Sequence, residues 1–239
     1  MSLSRPVTLV VPYYDDPHRL QGILDNECLD LFDEVIIIDD ASPTYPAAPI
    51  VLESGVLVSL LRVSVDYGFN AHGARNLGAQ EATNEWIFFM DVDQELTPEF
   101  CEALDSEITN AGKNDFILCN LFGGDPGNIF AVRQSHFWEA GGYDEELRGY
   151  HMGDKIFRER LETIAYPKLM KTILPSNRMG RTIIVDDSVS HTVYPDSSTV
   201  VQRDQKHIHA ILDFINARNK CPEVWRQIPK ICFDWYRVL

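Results

Sequence analysis

Two aspartates one residue apart, Asp91 and Asp93, close the run "FFMDVDQELTP" (Phe88–Pro98). Like-charged carboxylates at that spacing repel each other and resist burial, so the site must offer a solvated turn, a shared proton or a cation. A surface turn is the plainest of these, since aspartates are common there. The preceding "WIFFM", however, is too apolar for an edge strand and sets the pair at the rim of a buried sheet. Carboxylate oxygens held there suit Mg²⁺ or Mn²⁺, with phosphate oxygens completing the shell. Other acids fall at comparable places: Asp15–Asp16 in "PYYDD", Asp39–Asp40 after "VIII", and Asp186–Asp187 after "TIIV".

The elements that must position these acids follow from the apolar pattern. Val7–Val11 ("VTLVV"), Val35–Ile38, Val56–Val63 and Trp86–Met90 predict strands. Helical spacing predicts helices around Leu20–Leu24, over Ala74–Thr83 and over Pro98–Asn110. Strands that are apolar on both faces, alternating with helices, indicate a parallel sheet covered on each side. Ligands in such sheets bind beyond the carboxyl ends of strands, where "PYYDD", "DD" and "DVD" all lie. In the second half, Phe116–Asn120 and Ile129–Val132 read as strands around the turn "GGDPGN", followed by a helix running through Leu169 and a strand at Ile183–Val185. The tail carries Ile208, Ile211, Leu212 and Ile215 at helical spacing, then Trp225, Ile228, Ile231 and Trp235. Its simplest reading is core packing.

The composition narrows the function classes. With 45% hydrophobic and 24% charged residues, the 239-residue chain has the profile of a folded globular protein. No apolar run reaches about 18 residues and "MSLSRP" lacks a secretory pattern, so no transmembrane segment and a cytoplasmic location are expected. A net charge of −15 argues against nucleic acid and anionic membranes as partners. The five cysteines form no C-x-x-C and read as buried, reduced thiols.

Two enzyme classes place D-x-D after a strand. The haloacid-dehalogenase-like phosphohydrolases use the first aspartate as nucleophile and a later acidic pair to bind Mg²⁺. Their motif continues with Gly-Thr, where this chain has Gln94–Glu95, and it opens their fold, whereas here a strand–helix–strand–loop–strand–helix block comes first. The chain more closely resembles the family 2 glycosyltransferases of the GT-A type. "VTLVVPYYDDPHRL", "EVIIIDDAS", "ARNLGAQEATNEWIFFMDVDQELTPEF" and "FAVRQSHFWEAGGYDEELRGYHMGDKIFRERL" follow that family's order from Pro6 to Leu161.

The resemblance implies an α/β, GT-A fold: a Rossmann-like, mainly parallel central sheet flanked by helices, with a smaller mixed sheet in the second half. One domain is expected over 1–239, with a nucleotide-binding half (1–110), an acceptor and catalytic half (111–200) and a helical tail (201–239). It further implies metal-dependent, inverting transfer from a nucleoside-diphosphate sugar, a UDP-sugar on family frequency, to a glycan or other hydroxyl acceptor. Pro12 and Tyr14 fall where the family's first loop meets the nucleoside. Asp40 matches the acid that reads the base edge, and Arg75 a basic residue near the nucleotide. Asp91 and Asp93 match the pair that holds Mn²⁺ or Mg²⁺ against the diphosphate, Asp93 more directly. Asp154 takes the place of the general base. His191, in "VSHTVYP", lies where relatives have a histidine that completes the metal shell or contacts phosphate. Gly141–Gly142 could admit backbone to the donor sugar or form a turn. Asp144 and Glu145, just after, read equally well as solvated acids. One departure stands out: Gly153 replaces the family's usual Glu before Asp154, which puts the alignment of the base in question and keeps a non-catalytic nucleotide- or sugar-binding module as an alternative.

Overall fold

The run beginning at Val7 becomes strand β1 (Val7–Tyr13), buried along its whole length. In this computed structural model, which describes residues 3–121, 129–145, 153–174 and 230–239, β1 is the centre of the sheet. Strands β2 (Glu34–Asp39) and β4 (Trp86–Phe89) flank it in parallel, and β3 (Ser59–Val63) continues the parallel set beyond β2. Side chains alternate between two apolar layers, as the two-residue strand period requires. Leu9, Val11, Ile37, Phe88 and Met90 face helices α1 (Pro17–Leu24), α2 (Ala47–Ser54) and α4 (Pro98–Thr109). Val10, Ile36, Ile38, Ile87 and Phe89 face α3 (Ala71–Glu81), α5 (Gln134–Glu139) and α6 (Gly153–Leu161). Each fully buried Phe or Leu in these layers contributes on the order of 1.5–3 kcal/mol from burial.

Four further strands complete the sheet: β5 (Asp115–Leu121), β6 (Phe130–Arg133), β7 (Tyr166–Leu174) and β8 (Trp235–Arg237). The order is β7-β5-β6-β4-β1-β2-β3-β8, with β6 antiparallel to β4 and β5, and β8 antiparallel to β3. The chain steps outward from β1 to β3 and then returns to the other side of β1 to form β4. That reversal opens a crevice at the carboxyl ends of β1 and β4. Met90 N–H donates to the Val10 carbonyl at 3.1 Å, so Asp91 leaves the sheet beside Pro12.

Three details differ from the sequence reading. The second-half strands do not make a separate small sheet: β6 pairs with β4 and carries β5 and β7 into the central one. The helix expected through Leu169 stops at Leu161, and Tyr166–Leu174 is instead a strand parallel to β5. Pro167 explains this, because a proline in a helix interior removes a hydrogen bond and clashes with the preceding turn. The end of the expected helical tail is also a strand, with Trp235 opposite Val63. Cys28, Cys101 and Cys119 are buried and free as expected, whereas Cys232 is free but exposed. The expected strand at Ile183–Val185, the Ile208–Ile215 stripe, Trp225, Asp186–Asp187 and His191 lie outside the described residues. Among the described residues, no helix is long and apolar enough to cross a membrane.

Candidate active site

At the end of β4 the chain turns, with Gln94 N–H donating to the Asp91 carbonyl at 3.1 Å. The turn leaves the Asp91 side chain partly exposed, at 26%. Gln94 is buried, and its Nε2 donates to Asp93 Oδ1 at 2.7 Å. A carboxylate only accepts, so this bond fixes the Gln94 amide and holds Asp93 in place.

Helix α3 brings the opposing charge. Asn70 caps it, accepting from Gly73 N–H at 3.1 Å, and the Asn70 N–H in turn donates to the buried Asp40 carboxylate. Just over one turn of helix later comes Arg75, whose side chain is 3% exposed. Its guanidinium pairs with Asp91 and, at 3.1 Å, with Asp154. Burial opposes the charge on Arg75, but Asp91 and Asp154 outweigh it and hold the group above its ordinary pKa. Burial pushes the Asp91 carboxyl up to about 6, opposed by Arg75 and reinforced by Asp93 and Asp154. The residue thus stands at the edge of protonation near neutral pH.

Asp154 lies in the first turn of α6, one residue after Gly153, rather than at a cap. An acid there is favoured by the helix dipole. The turn after α5 supplies Tyr143, fully buried, with its ring 5.5 Å from the Arg75 guanidinium carbon and stacked on Phe157 of α6 at 4.5 Å. Burial first, and then the Asp154 charge, raise the Tyr143 phenol well above its ordinary pKa. Asn76, next to Arg75, clamps the Tyr143 backbone: its Nδ2 donates to the carbonyl at 3.0 Å and its Oδ1 accepts from the N–H at 2.8 Å.

Gly142 has a packing reason for its identity. Its φ of +61° lies in the left-handed region, and a Cβ there would meet Asn76 Oδ1 at 2.8 Å. The neighbouring acids are both engaged by the protein. Asp144 is buried, paired with Arg160 at 3.0 Å and Lys230 at 3.7 Å. Glu145 accepts from Asn76 Nδ2 at 2.7 Å and from Ile231 N–H at 2.6 Å, tying the C-terminal segment to α3.

The residues expected near the nucleoside form a second group at the carboxyl ends of β1 and β2. Pro12 is buried in β1, and the Tyr14 hydroxyl donates to the Asp66 carboxylate at 3.2 Å. Burial and Asp66 both raise the Tyr14 pKa. Asp39 is structural, accepting from Ser42 N–H at 2.8 Å and Ala47 N–H at 2.9 Å while pairing with Arg62. Asp40 reaches the first group through Asn70. Of the residues singled out in the sequence, Asp91, Asp154 and Arg75 thus come together, beside Gln94, Asn76 and Tyr143, to which the sequence had given no role in the site. Asn76 and Gln94 stand inside quoted motifs, yet only the fold shows what their amides hold.

No group of three or more His, Cys, Asp or Glu converges on a metal position among the described residues. Asp91 and Asp93 still offer hard, partly exposed carboxylates. Two protein donors fit a Mg²⁺ or Mn²⁺ that takes its other ligands from diphosphate and water.

A mainly parallel sheet with its switch point beside a D-x-D turn, facing an arginine on one helix and an acid on a later one, defines a GT-A-type glycosyltransferase fold. The chain belongs to glycosyl transferase family 2, whose family model matches residues 8–188. An uncharacterised glycosyltransferase of Haemophilus influenzae is 23% identical over 185 residues, covering 64% of this chain and 61% of that protein. Among solved structures, Staphylococcus aureus TarS 1–349 superposes with a TM-score of 0.60 at 16% identity, over 72% of this chain and 60% of that one. A mannosyltransferase from Pyrobaculum calidifontis in complex with GDP-Man and Mn²⁺ gives 0.59 at 16% identity, over 76% and 60%. Glucosyl-3-phosphoglycerate synthase from Mycobacterium tuberculosis, in complex with Mn²⁺ and UDP, gives 0.53 at 18% identity, over 72% and 71%. The chain spans about three fifths of the length of the first two structures and of the Haemophilus protein. Family membership replaces the phosphohydrolase alternative.

Proposed function

We propose that this chain transfers a sugar from a nucleoside-diphosphate sugar, a UDP-sugar in the first instance, to a hydroxyl of a glycan or similar acceptor. One observation carries the reading: Arg75 joins Asp91, at the end of β4, to Asp154, on α6. The metal-side acid and the candidate base thereby meet at one guanidinium.

Asp91 and Asp93 would hold Mn²⁺ or Mg²⁺, whose chemistry there is to neutralise the charge developing on the departing diphosphate. Pro12, Tyr14 and Asp40 would receive the nucleoside, and Gly142 would border the donor sugar. His191 is proposed as a further metal or phosphate contact. Asp154 takes the proton from the acceptor hydroxyl as its oxygen bonds to the anomeric carbon. The bond from that carbon to the diphosphate oxygen breaks, its electrons leave with the nucleoside diphosphate, and attack from the opposite face inverts the centre. Arg75 balances both acids, and its planar fork suits the phosphates of the donor.

Asp154→Asn tests this directly. Loss of a general base lowers kcat by about 10²–10⁴-fold while donor binding persists. The product's anomeric configuration, read by NMR in the wild type, should be inverted. Retained turnover in Asp154→Asn, or a retained configuration, would contradict the mechanism.

A further inference from the structure

His72 is buried on the first turn of α3, three residues before Arg75, with its ring stacked on Tyr143 at 5.1 Å and 17°. It also lies against Gly153. A Cβ at 153 would sit 3.0 Å from His72 Nδ1 and closer still to Cε1 and Nε2, so the imidazole and any side chain at 153 exclude each other. Gly153 has no left-handed φ to explain it. Close approach is therefore the reason for the glycine.

Three contacts then fix α6: the Gly153 backbone on His72, Asp154 on Arg75 at 3.1 Å, and Phe157 on Tyr143 at 4.5 Å. They come from positions i, i+1 and i+4, so the first turn of α6 is pinned at both ends of the carboxylate. We infer that His72 is a positioning residue, setting the depth of the α6 N-terminus and hence where the Asp154 carboxylate stands. The inference rests on the transferase reading above. It also answers the doubt raised by the glycine, since the close approach of helix to imidazole leaves Asp154 facing Arg75.

The test is a double-mutant cycle of Gly153→Ala and His72→Ala, read as kcat and as donor Kd. A methyl at 153 pushes α6 outward, and a displacement near 1 Å costs about 10²-fold in kcat. Donor Kd should hold within about twofold, because the donor is assigned to other elements, so that kcat falls while KM does not. The double variant should regain at least about tenfold over Gly153→Ala, since removing the ring relieves the clash. An unchanged kcat in Gly153→Ala, or a double variant no better than it, would overturn the inference. Should Gly153→Ala fail to fold, His72→Ala and the flat His72→Asn replace it. His72→Ala is then expected to lose kcat with donor Kd intact, and His72→Asn to recover part of it; parallel loss of both parameters would overturn the inference. A wild type that transfers no sugar from any donor removes the transferase reading itself, whereas an active wild type with an insensitive Gly153 removes the positioning role alone.

Discussion

Asp91 carries two opposed influences, burial that favours its neutral form and Arg75 that favours its charge, and the balance sets it at about 6. A cation needs the ionised carboxylate, so protons compete with it. The sign follows: Mn²⁺ affinity should be level above neutrality and fall as pH drops through 6, by up to about tenfold per unit below that. Calorimetric titrations across this range would show it, and Asp91→Asn should flatten the dependence while weakening binding overall. Gln94 gives a second residue-scale expectation. Its Nε2 orients Asp93, and its buried Oε1 has no hydrogen-bond partner among the described residues. Outer partners of metal ligands are worth about 10–100-fold in affinity, so Gln94→Leu should lose Mn²⁺ binding on that scale. Unchanged affinity would show that Asp93 is held by other means. Asp40, Asp91 and Asp93 were legible in the sequence because each follows an apolar strand, and Asp154 only through the family resemblance, but Gln94 was not, since its task depends on a rotamer. In the sequence Asp144 stands open between a motif acid and a solvated one, because an acid in a Gly-rich turn looks solvated until Arg160 and Lys230 are found beside it.

Between elements, the C-terminal segment is the least expected participant. β8 covers the edge of β3, Ser64 N–H donates to the Asp234 carbonyl at 2.8 Å, and Glu145 receives Ile231 N–H. Phe233 also packs close to Gly73 on α3, its Cε1 lying 2.8 Å from where a Cβ would stand. Deleting residues 230–239 should therefore bare an edge strand, lower the melting temperature and promote association. Calorimetric melting with light scattering would report both, and unaltered melting and scattering would contradict the role given to β8. Strands β1, β2 and β4 were readable because burial on both faces leaves an unbroken apolar run. β7 was not, because Met170 and Leu174 are buried while Tyr166 and Leu169 are exposed, a pattern as compatible with a helix face as with a strand. Pro167 held the decisive signal. The contact of His72 with Gly153 joins positions far apart in the chain and has no local trace.

For the molecule as a whole, a net charge of −15 repels a nucleoside diphosphate, itself an anion. Local positive charge must then overcome the field, and Arg75 is paired with both Asp91 and Asp154. The layered sheet serves this end by gathering β1, β4, α3 and α6 at one crevice, so that a cation on the β4 turn would free Arg75 for phosphate. Nucleotide binding should accordingly require the metal. The measurement that tests this most directly is calorimetry of UDP, GDP and dTDP, and of their sugars, with and without Mn²⁺. One nucleotide should bind only when Mn²⁺ is present, and Asp93→Ala should abolish that binding. Equal binding without metal, or no binding by any member of the panel, would contradict it.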